Sequence, residues 1–179
     1  MRADLCGASE DGDVMLRLRP PRIDDESAVL TSQRELAADD FVFAFLRPGQ
    51  SFVEYVQMVE DHRHGRAIDE DWVESTWLLA DVDGAVVGRS SIRFELNDFL
   101  LVQGGHIGYG VRPRHRRRGY ATEILRQSLV VARAGGVHDV LVTCDDDNVG
   151  SVKAIEANGG VLENVVAVDG VPVRRYWIR

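Results

Sequence analysis

The chain has 179 residues, of which 45% are hydrophobic and 28% are charged, and its formal net charge is −8. This length and composition fit one globular domain whose core needs neither a metal nor a disulfide to fold. No apolar run reaches the roughly 18 residues of a membrane span. Residues 1–12 are acidic and lack the apolar core of a secretory signal. We therefore expect a disordered lead-in over 1–12, a single domain over 13–179, and no membrane partner.

The two cysteines, Cys6 and Cys144, form no CxxC pair and no cluster with histidine. This usage argues against a structural metal site. Two isolated thiols fit a reducing compartment, so we expect a cytoplasmic protein. An acidic chain is also a poor nucleic-acid binder by overall charge.

The N-terminal half favours a strand, two helices and a hairpin. Asp24 is a candidate N-cap of the first helix. Ser51 and Glu54 have the three-residue spacing of a capping box at the start of the second helix. An Asp-Gly pair between two apolar runs is typical of a β-hairpin. The predicted elements are a strand over 14–20, helices over 23–39 and 51–64, and two strands that meet at Asp83–Gly84.

The C-terminal half alternates strands and helices. Its longest helix carries small and apolar residues on one face, at Ala121, Ile124, Leu125, Ser128, Leu129 and Ala132. The predicted elements are a strand over 106–111, a helix from Gly119 to the Gly135–Gly136 pair, a buried strand of parallel type over 138–144, a helix over 148–158 capped by Asp147 or Asn148, and a hairpin at Asp169–Gly170. The order β-α-α-β-β-β-α-β-α-β-β predicts a single α+β or layered α/β domain.

A cationic loop precedes the longest predicted helix. Five of the seven residues from Arg112 to Arg118 are arginine, and Gly119 follows. The first turn of a helix offers unpaired N–H groups and a positive dipole end, which together bind anions. Glycine permits a close backbone approach, and guanidinium groups suit phosphate. The loop therefore predicts a pyrophosphate or polyanion site. A solvated face and a nucleic-acid patch are the alternatives, while the GxxxxGK[ST] pattern of a Walker loop is absent.

The segment RRRGYA, Arg116 to Ala121, resembles the Q/R-x-x-G-x-G/A signature of the GNAT superfamily of acetyl-CoA-dependent N-acetyltransferases. The flanking strand and helix, the Asn148-x-x-Ser151 block that ends at Gly159–Gly160, and the closing hairpin follow the family's order. The resemblance covers residues 16–179. It implies a mixed, mostly antiparallel central sheet with a splayed parallel strand pair, about four flanking helices and a C-terminal β-hairpin.

The resemblance also implies acetyl-CoA as the cofactor. The Val111 backbone would pair with the pantetheine arm, and the amides from Arg117 to Thr122 would hold the pyrophosphate. Asn148 and Ser151 would face the thioester end, and Lys153 would reach the nucleotide phosphate unless it is simply a surface lysine. The full implied set is Val111, Arg116, Arg117, Arg118, Gly119, Tyr120, Ala121, Thr122, Asn148, Ser151 and Lys153.

The implied reaction is direct attack of a neutral amine on the acetyl thioester, which requires a base or a water chain to remove a proton. His106 and Glu95 are the candidate bases, although a strand histidine is more often structural. Many family members carry an acidic tyrosine seven residues after the asparagine, where this chain has Ile155. The acid is therefore open between Ser151, Tyr109, Tyr176 and solvent.

These features predict an N-acetyltransferase acting on a primary amine of a small molecule or a protein. The competing hypothesis is a non-catalytic acyl-CoA sensor of the same fold, which Ile155 favours. A nucleic-acid module is disfavoured because no aromatic residues interleave with the arginines. We expect an amine acceptor as partner, no nucleic acid, and a monomer or homodimer.

Overall fold

The computed structural model describes residues 15–66, 68, 70 and 72–179, so the expected lead-in lies outside the described residues. Short 3-10 turns occupy Ile23–Asp25, Ala37–Asp39 and Pro113–His115. The main elements are β1 (Arg17–Arg19), α1 (Glu26–Leu36), α2 (Phe52–Arg63), β2 (Ser75–Val82), β3 (Ala85–Arg93), α3 (Asp98–Val102), β4 (Ile107–Val111), α4 (Tyr120–Ala134), β5 (Val140–Asp145), α5 (Val149–Ala157), β6 (Val161–Val168) and β7 (Val171–Ile178).

Local signals fixed most of these boundaries. The predicted capping box begins α2, since the Ser51 hydroxyl accepts from the Glu54 N–H and the Glu54 carboxylate accepts from the Ser51 N–H. Both Asp-Gly turns are confirmed. The Asp24 N-cap is wrong, because Asp25 is the residue before α1 and its carboxylate accepts from the Arg22 N–H at 2.7 Å.

The prediction missed α3, which is too short to show helical periodicity. Its five residues follow Asn97, whose side chain accepts a hydrogen bond from the Leu100 N–H. This helix lies in the connection between β3 and β4, where the sequence indicated only a glycine pair, Gly104–Gly105, before the strand.

The strands form two antiparallel sheets, ordered β1-β2-β3-β4 and β5-β7-β6. The expected splayed parallel pair is β4 and β5, which run side by side from adjacent starting points. At those starts the His106 N–H donates to Leu141 O at 2.8 Å. The strands form no ladder beyond that point among the described residues. The prediction of β5 as a parallel-type strand is wrong in its hydrogen bonding, because its ladder partner is the antiparallel β7.

Two helical layers cover the sheets. A buried cluster joins α4 and α5 to both sheets; it contains Ile92 and Ile107 of one sheet, Val140 and Val142 of the other, and Leu125 of α4. A second cluster packs α1 and α2 against the opposite face of β2 and β3. Within the described ranges, no helix combines the length and apolar character that a membrane crossing requires.

Candidate active site

The gap between β4 and β5 is lined by backbone groups of β4 that form no strand pairing. The Arg112 N–H donates to Val87 O of β3 at 2.9 Å. Since the hydrogen-bonding direction alternates along an antiparallel strand, the N–H and C=O groups of Tyr109 and Val111 point away from β3 and into the gap. This edge can accept an extended ligand as an additional strand. The Val111 carbonyl also accepts a hydrogen bond from Arg116 Nε at 3.2 Å.

His106 closes the narrow end of the gap. Its backbone N–H donates to Leu141 O, and its ring Nδ1 accepts from the Leu141 N–H at 2.9 Å. The side chain is buried, and burial, with the nearby Arg93 charge, lowers the pKa of the imidazole. With the Nδ1 lone pair occupied, the neutral ring carries its proton on Nε2 and has no free lone pair for an amine proton. This geometry favours a structural role over the predicted base role.

We expect His106→Ala to lower the free energy of unfolding by about 1–3 kcal/mol, because the Leu141 N–H loses its acceptor. The lowered pKa adds a pH signature. Below the unfolded pKa of about 6.5 the unfolded chain binds a proton that the folded ring resists. Stability should therefore fall as the pH drops below 6.5, and His106→Ala should lose this component. Urea unfolding between pH 8 and 5 measures it, and the exposed His138→Ala is the control. Identical pH slopes for the wild type and His106→Ala would contradict this role.

The start of α4 presents a row of unpaired backbone N–H groups. The Arg116 N–H donates to Pro113 O, and the Glu123 N–H makes the first helical bond, to Gly119 O. The N–H groups between them, from Arg117 to Thr122, make no hydrogen bond to any residue that the structure describes. Arg117 and Gly119 have positive φ angles of 64° and 78°, which turns successive N–H groups toward one side. The predicted pyrophosphate residues therefore form a cradle that fits an anion.

The space above this cradle is open. A Cβ built on Gly119 would meet no atom within 4 Å, so nothing in the protein fills the position where an anion would approach. Asn158, which was not predicted as a site residue, holds the first turn of α4 in place beneath the cradle. Its Nδ2 donates to Thr122 O at 3.1 Å and to Ala154 O at 2.8 Å, which ties the end of α5 to the first turn of α4.

The five arginines of the loop divide into two roles. Arg112 is buried and forms a two-pronged ion pair with Glu35, at 2.8 and 2.9 Å, which lowers the pKa of that carboxyl. Arg116 pairs with Asp39 as well as with Val111 O. These two residues anchor the loop to α1 and the turn that follows it. The other three, Arg114, Arg117 and Arg118, are exposed and form no ion pair with a described residue.

The first turn of α5 lies across the gap from β4. Asn148 caps this helix, because its Oδ1 accepts from the Ser151 N–H at 3.0 Å. The Tyr109 hydroxyl of β4 donates to Ser151 O at 3.4 Å. Burial raises the pKa of the Tyr109 phenol above its ordinary value, so the group keeps its proton at neutral pH. Asn148 and Ser151 thus meet here with the Tyr109 phenol, which can donate a proton.

The position that holds a tyrosine in many family members serves the core here. Ile155 is fully buried, and a Cβ built on the neighbouring Gly160 would already lie 2.4 Å from its Cγ2. A phenol introduced at 155 would therefore overpack the core. Tyr176, another candidate acid, donates its hydroxyl hydrogen to Glu156 Oε1 at 3.3 Å.

Two other candidates, Glu95 and Lys153, have less distinctive surroundings, and Cys144 has no catalytic features. Glu95 is exposed in the bend after β3 and makes no hydrogen bond or ion pair to a described residue. Lys153 is exposed on α5 and likewise contacts no described charged group. Cys144 is half-buried, and burial raises the pKa of its thiol to about 11, so at neutral pH it is not a thiolate nucleophile.

The opposite face of β3 carries features that the sequence analysis did not identify. Arg89 and Arg93 point toward the α1–α2 side, beside glycines Gly108 and Gly110 of β4. Arg93 also lines a cavity of about 200 Å³. Their i, i+4 spacing on a strand was the available signal, because it places two cations on one face of an otherwise apolar segment.

Comparisons with known proteins agree with this geometry. The acetyltransferase (GNAT) domain family matches residues 15–161. No curated protein matches the sequence. Similar solved structures include yncA of Salmonella typhimurium with its cofactor acetyl-CoA (15% identity, 92% of this chain and 93% of that chain, TM-score 0.63). A second is Mycobacterium smegmatis RimJ in complex with CoA-disulfide (21% identity, 91% of this chain and 81% of that chain, TM-score 0.64). A third is spermidine N-acetyltransferase from Vibrio cholerae in complex with CoA and spermine (18% identity, 91% of this chain and 94% of that chain, TM-score 0.63).

Proposed function

Because the chain belongs to the acetyltransferase (GNAT) domain family, we propose that it transfers an acetyl group from acetyl-CoA to a primary amine of a small molecule or a protein. The observation that carries this proposal is the row of unpaired N–H groups from Arg117 to Thr122 beside the open gap between β4 and β5. A pyrophosphate with an extended arm matches both features.

Each part of the ligand has a matching group on the chain. The N–H cradle and the exposed charges of Arg117 and Arg118 hold the pyrophosphate. The N–H and C=O groups of Tyr109 and Val111 pair with the amides of the pantetheine arm. Pairing at the Val111 carbonyl requires Arg116 to release it.

When bound, acetyl-CoA supplies a thioester carbon to which the amine nitrogen bonds while the C–S bond breaks, so coenzyme A leaves as a thiol after gaining one proton. The Tyr109 phenol faces α5 across the gap and keeps its proton at neutral pH, so we assign it as the acid. Water removes the amine proton, because the His106 lone pair is occupied. The N–H groups that point into the gap stabilise negative charge on the carbonyl oxygen.

The sensor hypothesis is the second candidate, and the core position of Ile155 favours it. Release of the coenzyme A thiol distinguishes the two. A transferase releases thiol in proportion to the N-acetylated amine formed, whereas a sensor binds acetyl-CoA and releases none with any amine.

We expect acetyl-CoA to raise the melting temperature. A ligand at a hundredfold its dissociation constant stabilises the folded state by about 2.7 kcal/mol. For a chain of this size that corresponds to roughly 5–10 °C. Acetyl phosphate, which carries the acetyl group without the pantetheine arm, is the control ligand and should give no comparable shift. An unchanged melting temperature at millimolar acetyl-CoA would contradict both the transferase and the sensor.

A further inference from the structure

A small aromatic cavity lies between β2, the end of β3 and α3, on the side of the sheet that faces α2. Its volume is about 200 Å³. Phe45, Trp72 and Trp77 form its wall, with ring centroids 5.3 to 5.7 Å apart. Phe99 of α3 also lines the cavity and is 64% exposed, so it lies at the rim. These rings offer an apolar surface for a ligand that enters from solvent.

Arg93 supplies a positive charge to this cavity and connects it to β4. Its Nη1 donates to the carbonyl oxygens of Gly104 and Gly105, at 3.3 and 3.2 Å. A Cβ built on Gly108 would lie 3.5 Å from Nη1 and 3.8 Å from Nη2, so the guanidinium rests directly on β4. The charged end of the cavity therefore lies beside the strand whose opposite edge borders the gap.

Arg89 adds a second, more deeply buried charge. It is 5% exposed, and its guanidinium carbon lies 4.5 Å from the Phe41 ring centroid and 5.5 Å from that of Phe45. Its Nη2 donates to Val42 O, while Nε and Nη1 have no hydrogen-bond partner among the described residues. A buried polar group without a partner is costly and calls for an explanation.

No carboxylate of the described residues pairs with either Arg89 or Arg93. Burial lowers the pKa of both guanidinium groups, to about 9 for Arg89 and about 10 for Arg93, so both remain protonated at pH 7. Within the part of the chain that the structure describes, the cavity side of β3 therefore carries two positive charges without a carboxylate partner. An anionic ligand group would neutralise them, while a polycation would be repelled.

We infer that the acceptor is a small amine that also carries a carboxylate and an apolar or aromatic group, which is the chemistry of an apolar amino acid. This inference rests on the acetyl transfer proposed above. The carboxylate pairs with Arg93, the apolar group packs on Phe45, Trp72 and Trp77, and the amine is held at β4 near the gap. A cavity of about 200 Å³ is below the roughly 300–1,000 Å³ of sites for drug-sized ligands, which favours a small acceptor.

A panel of matched amines tests the acceptor with the full chain, acetyl-CoA and thiol release as the readout. Phenylalanine is compared with phenethylamine, which lacks the carboxylate, and with alanine, which lacks the ring. Spermidine and a lysine peptide represent the polyamine and protein alternatives. Losing one charge-assisted hydrogen bond costs about tenfold to hundredfold. We therefore expect kcat/KM for phenylalanine to exceed that for phenethylamine and for alanine by at least tenfold each.

Two variants locate this preference on the structure. Arg93→Gln should lower kcat/KM for phenylalanine at least tenfold, to the level of phenethylamine, and should leave the acetyl-CoA melting shift unchanged. The exposed Arg133→Gln, at the far end of α4, is the matched control. Phe99→Glu changes only an exposed rim position, so it folds even if Arg93→Gln does not. Its carboxylate should repel phenylalanine and lower kcat/KM for it at least fivefold, with a smaller effect on phenethylamine.

The outcomes separate the two proposals. If phenethylamine, spermidine or the lysine peptide is acetylated as well as phenylalanine, or if Arg93→Gln and Phe99→Glu leave the preference intact, the acceptor inference is wrong and acetyl transfer stands. If acetyl-CoA shifts the melting temperature but no amine of any class releases thiol, the transfer itself is wrong, and the acceptor inference fails with it.

Discussion

Gly119→Glu should lower the affinity for acetyl-CoA by at least tenfold, or about 1.4 kcal/mol. The substitution places a negative charge at the N–H cradle, where the pyrophosphate is proposed to bind. The φ angle of 78° at this position also disfavours any residue with a Cβ, which tilts the cradle away from its anion-binding shape. The fold should persist, because the new Cβ meets no atom within 4 Å. Isothermal titration calorimetry measures the affinity.

Gly136 provides a matched control at the opposite end of α4. Its φ is 91°, and a Cβ built there also meets no atom within 4 Å. Gly136→Glu therefore introduces the same strain and the same charge about 22 Å away along the helix. It should bind acetyl-CoA normally. Unchanged affinity in a folded Gly119→Glu protein would place the anion site elsewhere, and equal losses in both variants would indicate a global effect.

Tyr109→Phe should lower kcat by about a hundredfold while acetyl-CoA affinity changes less than threefold. General acid–base groups contribute about 10²- to 10⁴-fold. The substitution keeps the ring that packs between β4 and the α4 side of the core, and it removes only the hydroxyl that bonds Ser151 O. Single-turnover kinetics with acetyl-CoA in excess isolates the chemical step from binding.

Tyr176→Phe is the control for this experiment. Tyr176 is also a buried tyrosine with a bonded hydroxyl, but its partners are Glu156 and Arg174 rather than the first turn of α5. It should retain kcat within about threefold. If Tyr109→Phe keeps full activity, solvent protonates the thiolate and the acid assignment is wrong. If both variants lose equally, the loss reflects packing rather than proton transfer.

The sequence predicted the parts of the site that depend on neighbours in the chain. The cradle at Gly119 and the cap at Asn148 follow from the residues that start α4 and α5, because capping and anion binding at a helix start use adjacent backbone groups. The splayed pair came only from the family resemblance. It depends on the His106 ring reaching Leu141, a contact between residues 35 positions apart.

The charge arrangement was less accessible from sequence. The sequence shows five equivalent arginines, yet two of them pair with carboxylates 77 residues earlier in the chain: Arg112 with Glu35 of α1, and Arg116 with Asp39 of the turn after α1. Arg93 joins a cavity whose walls come from four separate segments. Composition and periodicity do not indicate which distant carboxylate or aromatic ring a guanidinium group will contact. The proposed acceptor cavity could therefore be identified only from the tertiary structure.

The gap between β4 and β5 also says something about how the molecule assembles. One sheet is built wholly from residues 17–111 and the other from residues 140–178, so neither ladder needs the other to close. Two of the strand pairs, β2–β3 and β6–β7, are joined by two-residue turns, and such local contacts favour rapid folding. The gap is therefore a seam between two separately laddered sheets, with α4 and α5 buried against both and the His106–Leu141 contact joining them at one end. We expect a ligand bound in that seam to contact both sheets at once and so to make their unfolding more cooperative.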